Sequence, residues 1–164
     1  MDNVKKTGIC FPKLIISILI PLLIGGFSAF LTADDMKAYD VMQKPFLAPP
    51  WWLFPIVWTI LYIMMGIASY LISASEADEA KKKKAMVLYT IQLAMNFFWA
   101  TLFFTYTRYL LAFIWLLAMW VILIICTIRF FIINRTAGIM MCVLTLWTTF
   151  AAYLNLASYI IDIG

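Results

Sequence analysis

Five stretches of this 164-residue chain contain no Asp, Glu, Lys or Arg: about 14–33, 51–75, 85–107, 109–128 and 136–161. Each runs for 20 to 26 residues. At about 1.5 Å of rise per residue, a helix of that length crosses a hydrocarbon core about 30 Å thick. The spacing predicts an all-α membrane protein, a five-transmembrane-helix bundle made by residues 1–164 as one domain with no soluble part of its own. Composition agrees. Hydrophobic residues make up 66% of the chain and the mean hydropathy is +0.99, whereas soluble domains are roughly 45–50% apolar. Lys5, Lys6 and Lys13 precede the first run as they would in a signal peptide. Its apolar stretch is longer than the roughly 7–15 residues of a signal core, and no A-x-A site follows, so it is read as a retained helix.

The charges sit between the runs and form no continuous basic face, so the net charge of +4 does not imply a nucleic-acid partner. They read as topology signals instead. With the N-terminus inside, the inner segments hold Lys5, Lys6, Lys13, Lys81, Lys82, Lys83, Lys84, Arg129 and Arg135, and the outer ones hold Lys37, Lys44 and Arg108. Nine against three predicts the N-terminus inside and the C-terminus outside, in the cell membrane if the source is prokaryotic. The inner segment from Glu76 to Lys84 pairs acids with bases four residues on (Asp78 with Lys82, Glu79 with Lys83), as a solvated helical extension would. Contact with anionic lipid heads is a secondary role for it. The outer segment 34–50 is the long irregular one, stiffened by Pro45, Pro49 and Pro50, and is read as a rigid lid.

Several chemistries are disfavoured. The chain has no histidine, and Cys10, Cys126 and Cys142 lie far apart, so neither a metal site nor a disulfide framework is expected, and the cysteines are read as buried small apolar residues. No Asp, Glu, Lys or Arg lies within a span, which argues against an ion-coupled pump. Hydrolytic or metal-dependent catalysis and haem-iron ligation lack their usual groups. No cofactor is expected.

Polar and aromatic residues within the spans are ordered by face. Gln92, Asn96, Trp99 and Phe103 superimpose within about 60° on the third helix. Trp58, Tyr62 and Gly66 share a face of the second, and Trp147, Ala151, Leu154 and Ser158 share one of the fifth, with Asn155 beside it. Pro21, Gly25 and Ser28 form a small, kink-prone face on the first. Amides are costly in lipid, so Gln92, Asn96 and Asn155 should point into the bundle. By helical rise, Trp58, Trp99 and Asn96 lie about 10–16 Å below the outer surface. Asn155 is in the same half and Trp147 is near the middle. The sum is an outward-opening aromatic pocket beneath the proline-rich loop.

The same residues resemble the TspO/MBR family, the tryptophan-rich sensory or translocator proteins. The likeness is carried by Lys44-Pro45 through Pro49-Pro50-Trp51-Trp52 to Trp58, Tyr62 and Gly66. It continues in Gln92 to Trp99 with Phe103-Phe104, and in Trp147 to Asn155. It covers about 38–160. The resemblance implies a five-helix bundle, often a homodimer, with one outward pocket capped by the first loop. It implies binding, sensing or transport of porphyrins such as protoporphyrin IX. Alternatively, it implies an enzyme degrading protoporphyrin IX with light and oxygen through pocket tryptophans, matched here by Trp58 and Trp147. Pocket-lining positions match Tyr39, Pro49, Tyr62, Asn96, Trp99 and Ala151, and the aligned faces add Phe103 and Leu154. Lys37, Lys44 or Arg108 would meet porphyrin propionates at the mouth. Small residues at Gly25, Ala29 and Ala33 support a dimer. The chain departs from the family's pattern at Leu47, at Ala38-Tyr39 and at Val143-Leu-Thr. Nothing basic follows Tyr153 or Tyr159, so the sterol motif of animal members is not reproduced and a sterol is not an expected partner.

Overall fold

The computed structural model of the chain describes residues 9–38 and 45–163. Five helices are long and apolar enough to cross a membrane: α1 (Phe11–Leu31), α3 (Leu53–Ser73), α4 (Glu79–Ala100), α5 (Tyr109–Ile133) and α6 (Arg135–Ile163). A short α2 (Ala33–Ala38) follows the first. A π-helical turn, Thr101–Thr105, continues α4. Among the described residues there is no strand. The chain is an all-α, multi-pass integral membrane protein whose five-helix bundle lies in the lipid bilayer.

The helix ends follow local chemistry. Pro12 sits in the first turn of α1, where its missing N–H is not needed. Asp78 caps α4, its carboxylate accepting the Lys81 N–H at 3.1 Å, so this helix starts at Glu79 and not near 85. The cap changes the expected ion pairs. Asp78 faces the backbone and not Lys82, which instead pairs with Glu79 and donates to the Ser75 carbonyl at 3.1 Å. The start of segment 34–50 is helical, which its prolines do not imply. Asp34 and Asp35 occupy the first turn of α2, where the helix dipole favours negative charge. Thr32 joins α2 to α1, its N–H on the Ser28 carbonyl at 3.2 Å and its own carbonyl accepting Met36 N–H at 2.9 Å.

Around the bundle the helices pack in the order α1, α3, α6, α5, α4, with α4 returning to α1. Consecutive α3 and α4 make few close backbone approaches and meet through long side chains instead. One core cluster holds Met65, Ile72, Leu123, Phe130 and Met141; the second holds Trp99, Phe103, Phe104, Met119 and Leu154. Pro21, Gly25 and Ser28, the expected small face of α1, are all buried against neighbours. At Gly66 a Cβ would lie 2.4 Å from Ile18 Cα, so the α1 backbone runs directly over this position. The cysteines are all free, but only Cys126 is buried. Cys142 is half-buried and Cys10 is exposed, because it precedes the first apolar turn.

Candidate functional site

The site starts where the prolines deliver the chain into α3. Pro45 and Pro49 are buried, and Leu47 between them holds a left-handed φ of 67° that a leucine rarely adopts. Four and eight residues into the register begun by Phe54, Trp58 and Tyr62 stack along α3 with centroids 5.6 Å apart. Trp58 meets Trp99 of α4 at 5.9 Å and 43°. Trp99 in turn stacks on Phe103 at 5.7 Å, and Phe103 meets Phe104 edge-on at 4.9 Å. The π turn brings Phe103 and Phe104, adjacent in sequence, both into the core, which a regular helix would not do as readily.

Polar groups inside this aromatic wall are paired across helices. Tyr62 donates its hydroxyl to Asn96 Oδ1 at 2.6 Å. Trp99 Nε1 donates to Asn155 Oδ1 at 3.3 Å, and Asn155 Nδ2 donates to the Ala151 carbonyl at 2.8 Å. Ser28 Oγ donates to the Phe97 carbonyl at 3.0 Å, tying α1 to α4. Gln92, Asn96 and Asn155 are all buried, as their cost in lipid requires. Among the described residues, Asn96 Nδ2, both amide atoms of Gln92 and Trp147 Nε1 find no partner.

A cavity lies between α1, α3 and α4. Gly25, Ser28 and Thr32 line one side, Trp58 and Tyr62 a second, Asn96 and Trp99 a third, with Met36 of α2 and Phe104 at the edges. The rings fill most of the space and leave about 40 Å³. Two hydrogen bonds tie segments at the end of the bundle where α3 begins. Thr105 Oγ1 donates to Asp35 Oδ2 at 2.6 Å, and Tyr153 donates its hydroxyl to the Phe46 carbonyl at 2.7 Å.

Of the residues singled out in the sequence, Trp58, Tyr62, Asn96 and Trp99 line this cavity. Phe103, Ala151 and Leu154 are buried in the cluster that contains Trp99. Trp147 is half-buried, packs against both core clusters and lies 5.5 Å from Phe150, outside the cavity lining. Pro49 is buried in the loop, and Tyr39 and Lys44 lie outside the described residues. Lys37 pairs with Asp34 at 3.4 Å, and Arg108 is exposed. Thr32 and Met36 escaped the sequence reading, whereas Phe54 and Phe104 lie within the family-like motifs without having been singled out as site residues. Among the described residues no group of three or more Cys, Asp or Glu is placed to hold a metal. The arrangement offers indole faces, a phenol and an amide N–H, which suit stacking and hydrogen bonding to a flat ligand.

The profile of the TspO/MBR family matches residues 17–160. The chain is 34% identical over 151 residues to the tryptophan-rich protein TspO of Archaeoglobus fulgidus, covering 92% of this chain and 97% of that one. It is 32% identical over 127 residues to the tryptophan-rich sensory protein of Cereibacter sphaeroides, covering 77% of each. To the human translocator protein it is 37% identical over 78 residues, 47% of this chain and 46% of that protein.

Proposed function

This chain belongs to the TspO/MBR family, and from that premise we propose that the space between α1, α3 and α4 binds porphyrins such as protoporphyrin IX, for transport or sensing. The observation that carries the reading is the Trp58–Trp99 pair over the Tyr62–Asn96 hydrogen bond. A flat macrocycle stacks on the indoles while the unpartnered Asn96 Nδ2 is available as a donor. Ligand pockets usually measure about 300–1,000 Å³, so the 40 Å³ found here is a closed form. Porphyrin separates Trp58 from Trp99, and the ties at Asp35 and Phe46 govern how readily the mouth opens. Pro49, Tyr39, Phe103, Ala151, Leu154 and Trp147 complete the proposed site as wall or backing. The proposal includes an N-terminus inside, a C-terminus outside, a mouth on the outer face and a homodimer built from single-domain protomers. Gly25 packs on the Tyr62 ring inside the chain, so the dimer rests on family membership and not on the small face of α1.

A second reading, light- and oxygen-dependent degradation of protoporphyrin IX, draws on ring spacing. Trp58 has two oxidisable neighbours, Tyr62 at 5.6 Å and Trp99 at 5.9 Å. One experiment tests both. Protoporphyrin IX is titrated into the detergent-solubilised protein in the dark, following quenching of tryptophan fluorescence, and then illuminated in air. Saturable quenching supports binding, and protein-dependent loss of the porphyrin spectrum in light supports turnover. Linear, unsaturable quenching sinks the binding reading.

A further inference from the structure

Where α4 begins and α5 ends, an open cleft of about 350 Å³ gathers Lys81 and Lys84 from α4 and Arg129 from α5. All three side chains are exposed, and none has an ion-pair partner among the described residues. Asp78 also borders the cleft, but its carboxylate is engaged by the Lys81 backbone N–H as the cap of α4. Three cations against one carboxylate leave an excess of two positive charges. The neighbouring lysines behave differently. Lys82 is taken up by Glu79 and the Ser75 carbonyl, and Lys83 lines a separate groove with Met86 and Thr90.

The floor of the cleft is apolar. Ile132 and Ile133 line it, and Ile132 is 65% exposed. Toward the middle of α5, Ile128, Ile125 and Val121 continue on the same side as exposed residues, spaced 4, 7 and 11 positions before Ile132. A stripe of exposed aliphatics thus leads from the cations into the hydrocarbon depth of the bilayer. A dissolved anion has no use for such a stripe, whereas a phospholipid matches both halves.

We propose that this cleft is a binding site for an anionic phospholipid. Lys81, Lys84 and Arg129 hold the headgroup phosphate, the guanidinium by paired hydrogen bonds and the ammonium groups as point charges. One acyl chain lies along Ile132, Ile128 and Ile125. A zwitterionic headgroup gains less, because its choline meets the same positive excess.

The test uses the full chain in nanodiscs of phosphatidylcholine with a minor share of phosphatidylglycerol, and counts co-retained lipids by native mass spectrometry. Phosphatidylglycerol should be enriched over phosphatidylcholine. Arg129→Gln and Lys84→Gln should each lower that preference by about five-fold. Lys83→Gln removes the same charge outside the cleft and should lower it by less than about two-fold. All three side chains are exposed, and an unchanged melting temperature verifies that each variant is folded. Ile128→Ser with Ile132→Ser should shorten lipid retention with every charge intact. Equal losses for Arg129→Gln and Lys83→Gln would mean diffuse attraction to the surface and overturn the site. So would displacement of the retained lipid by millimolar glycerol phosphate, which would show that the cleft serves free phosphates.

Discussion

Tyr62 and Asn96 meet at 2.6 Å in a buried setting. Tyr62→Phe leaves Asn96 Oδ1 unpaired beside an Nδ2 that is already so. Stranding a buried acceptor costs about 1–3 kcal/mol, and thermal unfolding in one fixed detergent should show a loss in that range. Trp58 does its work at the cavity wall. Trp58→Ala removes one stacking face and should weaken protoporphyrin IX binding roughly 5- to 150-fold, from about 1–3 kcal/mol of lost burial and stacking. Trp58→Phe keeps a ring that is harder to oxidise, so it should depress any light-driven loss of porphyrin more than affinity. Trp147 backs the wall from outside the cavity, so Trp147→Ala should weaken binding less than Trp58→Ala. Trp115 on α5 is the comparison residue. Its Nε1 donates to the Met95 carbonyl at 2.9 Å, and Trp115→Phe should cost about 1 kcal/mol of stability while leaving porphyrin affinity unchanged. Quenching titrations on the set, each variant first verified as folded, separate ligand contact from packing.

At the scale of elements, α1 and α3 approach closely because two glycines permit it. At Gly66 a Cβ would meet backbone, Ile18 Cα at 2.4 Å and Ser17 O at 2.7 Å. Gly66→Ala must push α1 away and should cost about 1–3 kcal/mol, as overpacking does. At Gly25 the obstacle is a side chain, with Tyr62 Cε2 at 1.9 Å. Gly25→Ala should therefore displace that ring and damage porphyrin binding as well as stability. Gly26 has nothing within 4 Å of an added Cβ, and Gly26→Ala should be neutral or gain up to about 1 kcal/mol of helix propensity. Melting temperatures in that order would support the packing described, and a wild-type-like Gly66→Ala would contradict it. The segment that leads into α3 is an element-scale feature too. Tyr153→Phe removes the bond to the Phe46 carbonyl, and proteolysis between Pro45 and Trp52 should become faster.

For the whole molecule, orientation is directly measurable. Cys10 is exposed, and its N–H rests on the Tyr70 hydroxyl at 2.9 Å, which places it at the same end of the bundle as the last turn of α3. It is a built-in reporter for the face proposed to be inner. A membrane-impermeant maleimide added to intact cells should modify a cysteine placed at 37, and should reach Cys10 or a cysteine at 83 only after permeabilisation. Position 83 is a better probe than 82, because the Lys82 side chain is only 13% exposed and held by Glu79. Labelling at 83 and not at 37 would reverse the proposed topology. Light scattering with the detergent contribution subtracted should show twice the 18.9 kDa protomer mass.

The sequence by itself determined the number of spans and the inward faces, and it named Trp58, Tyr62, Asn96 and Trp99 of the cavity lining. The reason is that lipid punishes charge and unpaired amides severely, so five charge-free runs and the helical spacing of Gln92, Asn96, Trp99 and Phe103 had few alternatives. The family was legible for a related reason, since the motif residues are the same ones that line or back the cavity. Only the tertiary structure decided what depends on the phase of one helix against another. It brought Gly25 and Ser28 of α1, with Thr32 at its C-cap, to the cavity lining, and it packs Trp147 against both core clusters, outside that lining. It inserted a π turn that brings Phe104 into the core beside Phe103. It also brought Arg129 to Lys81 and Lys84, 45 or more positions away in the chain. Periodicity along one helix shows which side is buried. It holds no information on which neighbour does the burying, because in a bundle that choice is made by close packing between backbones such as those at Gly66 and Ile18.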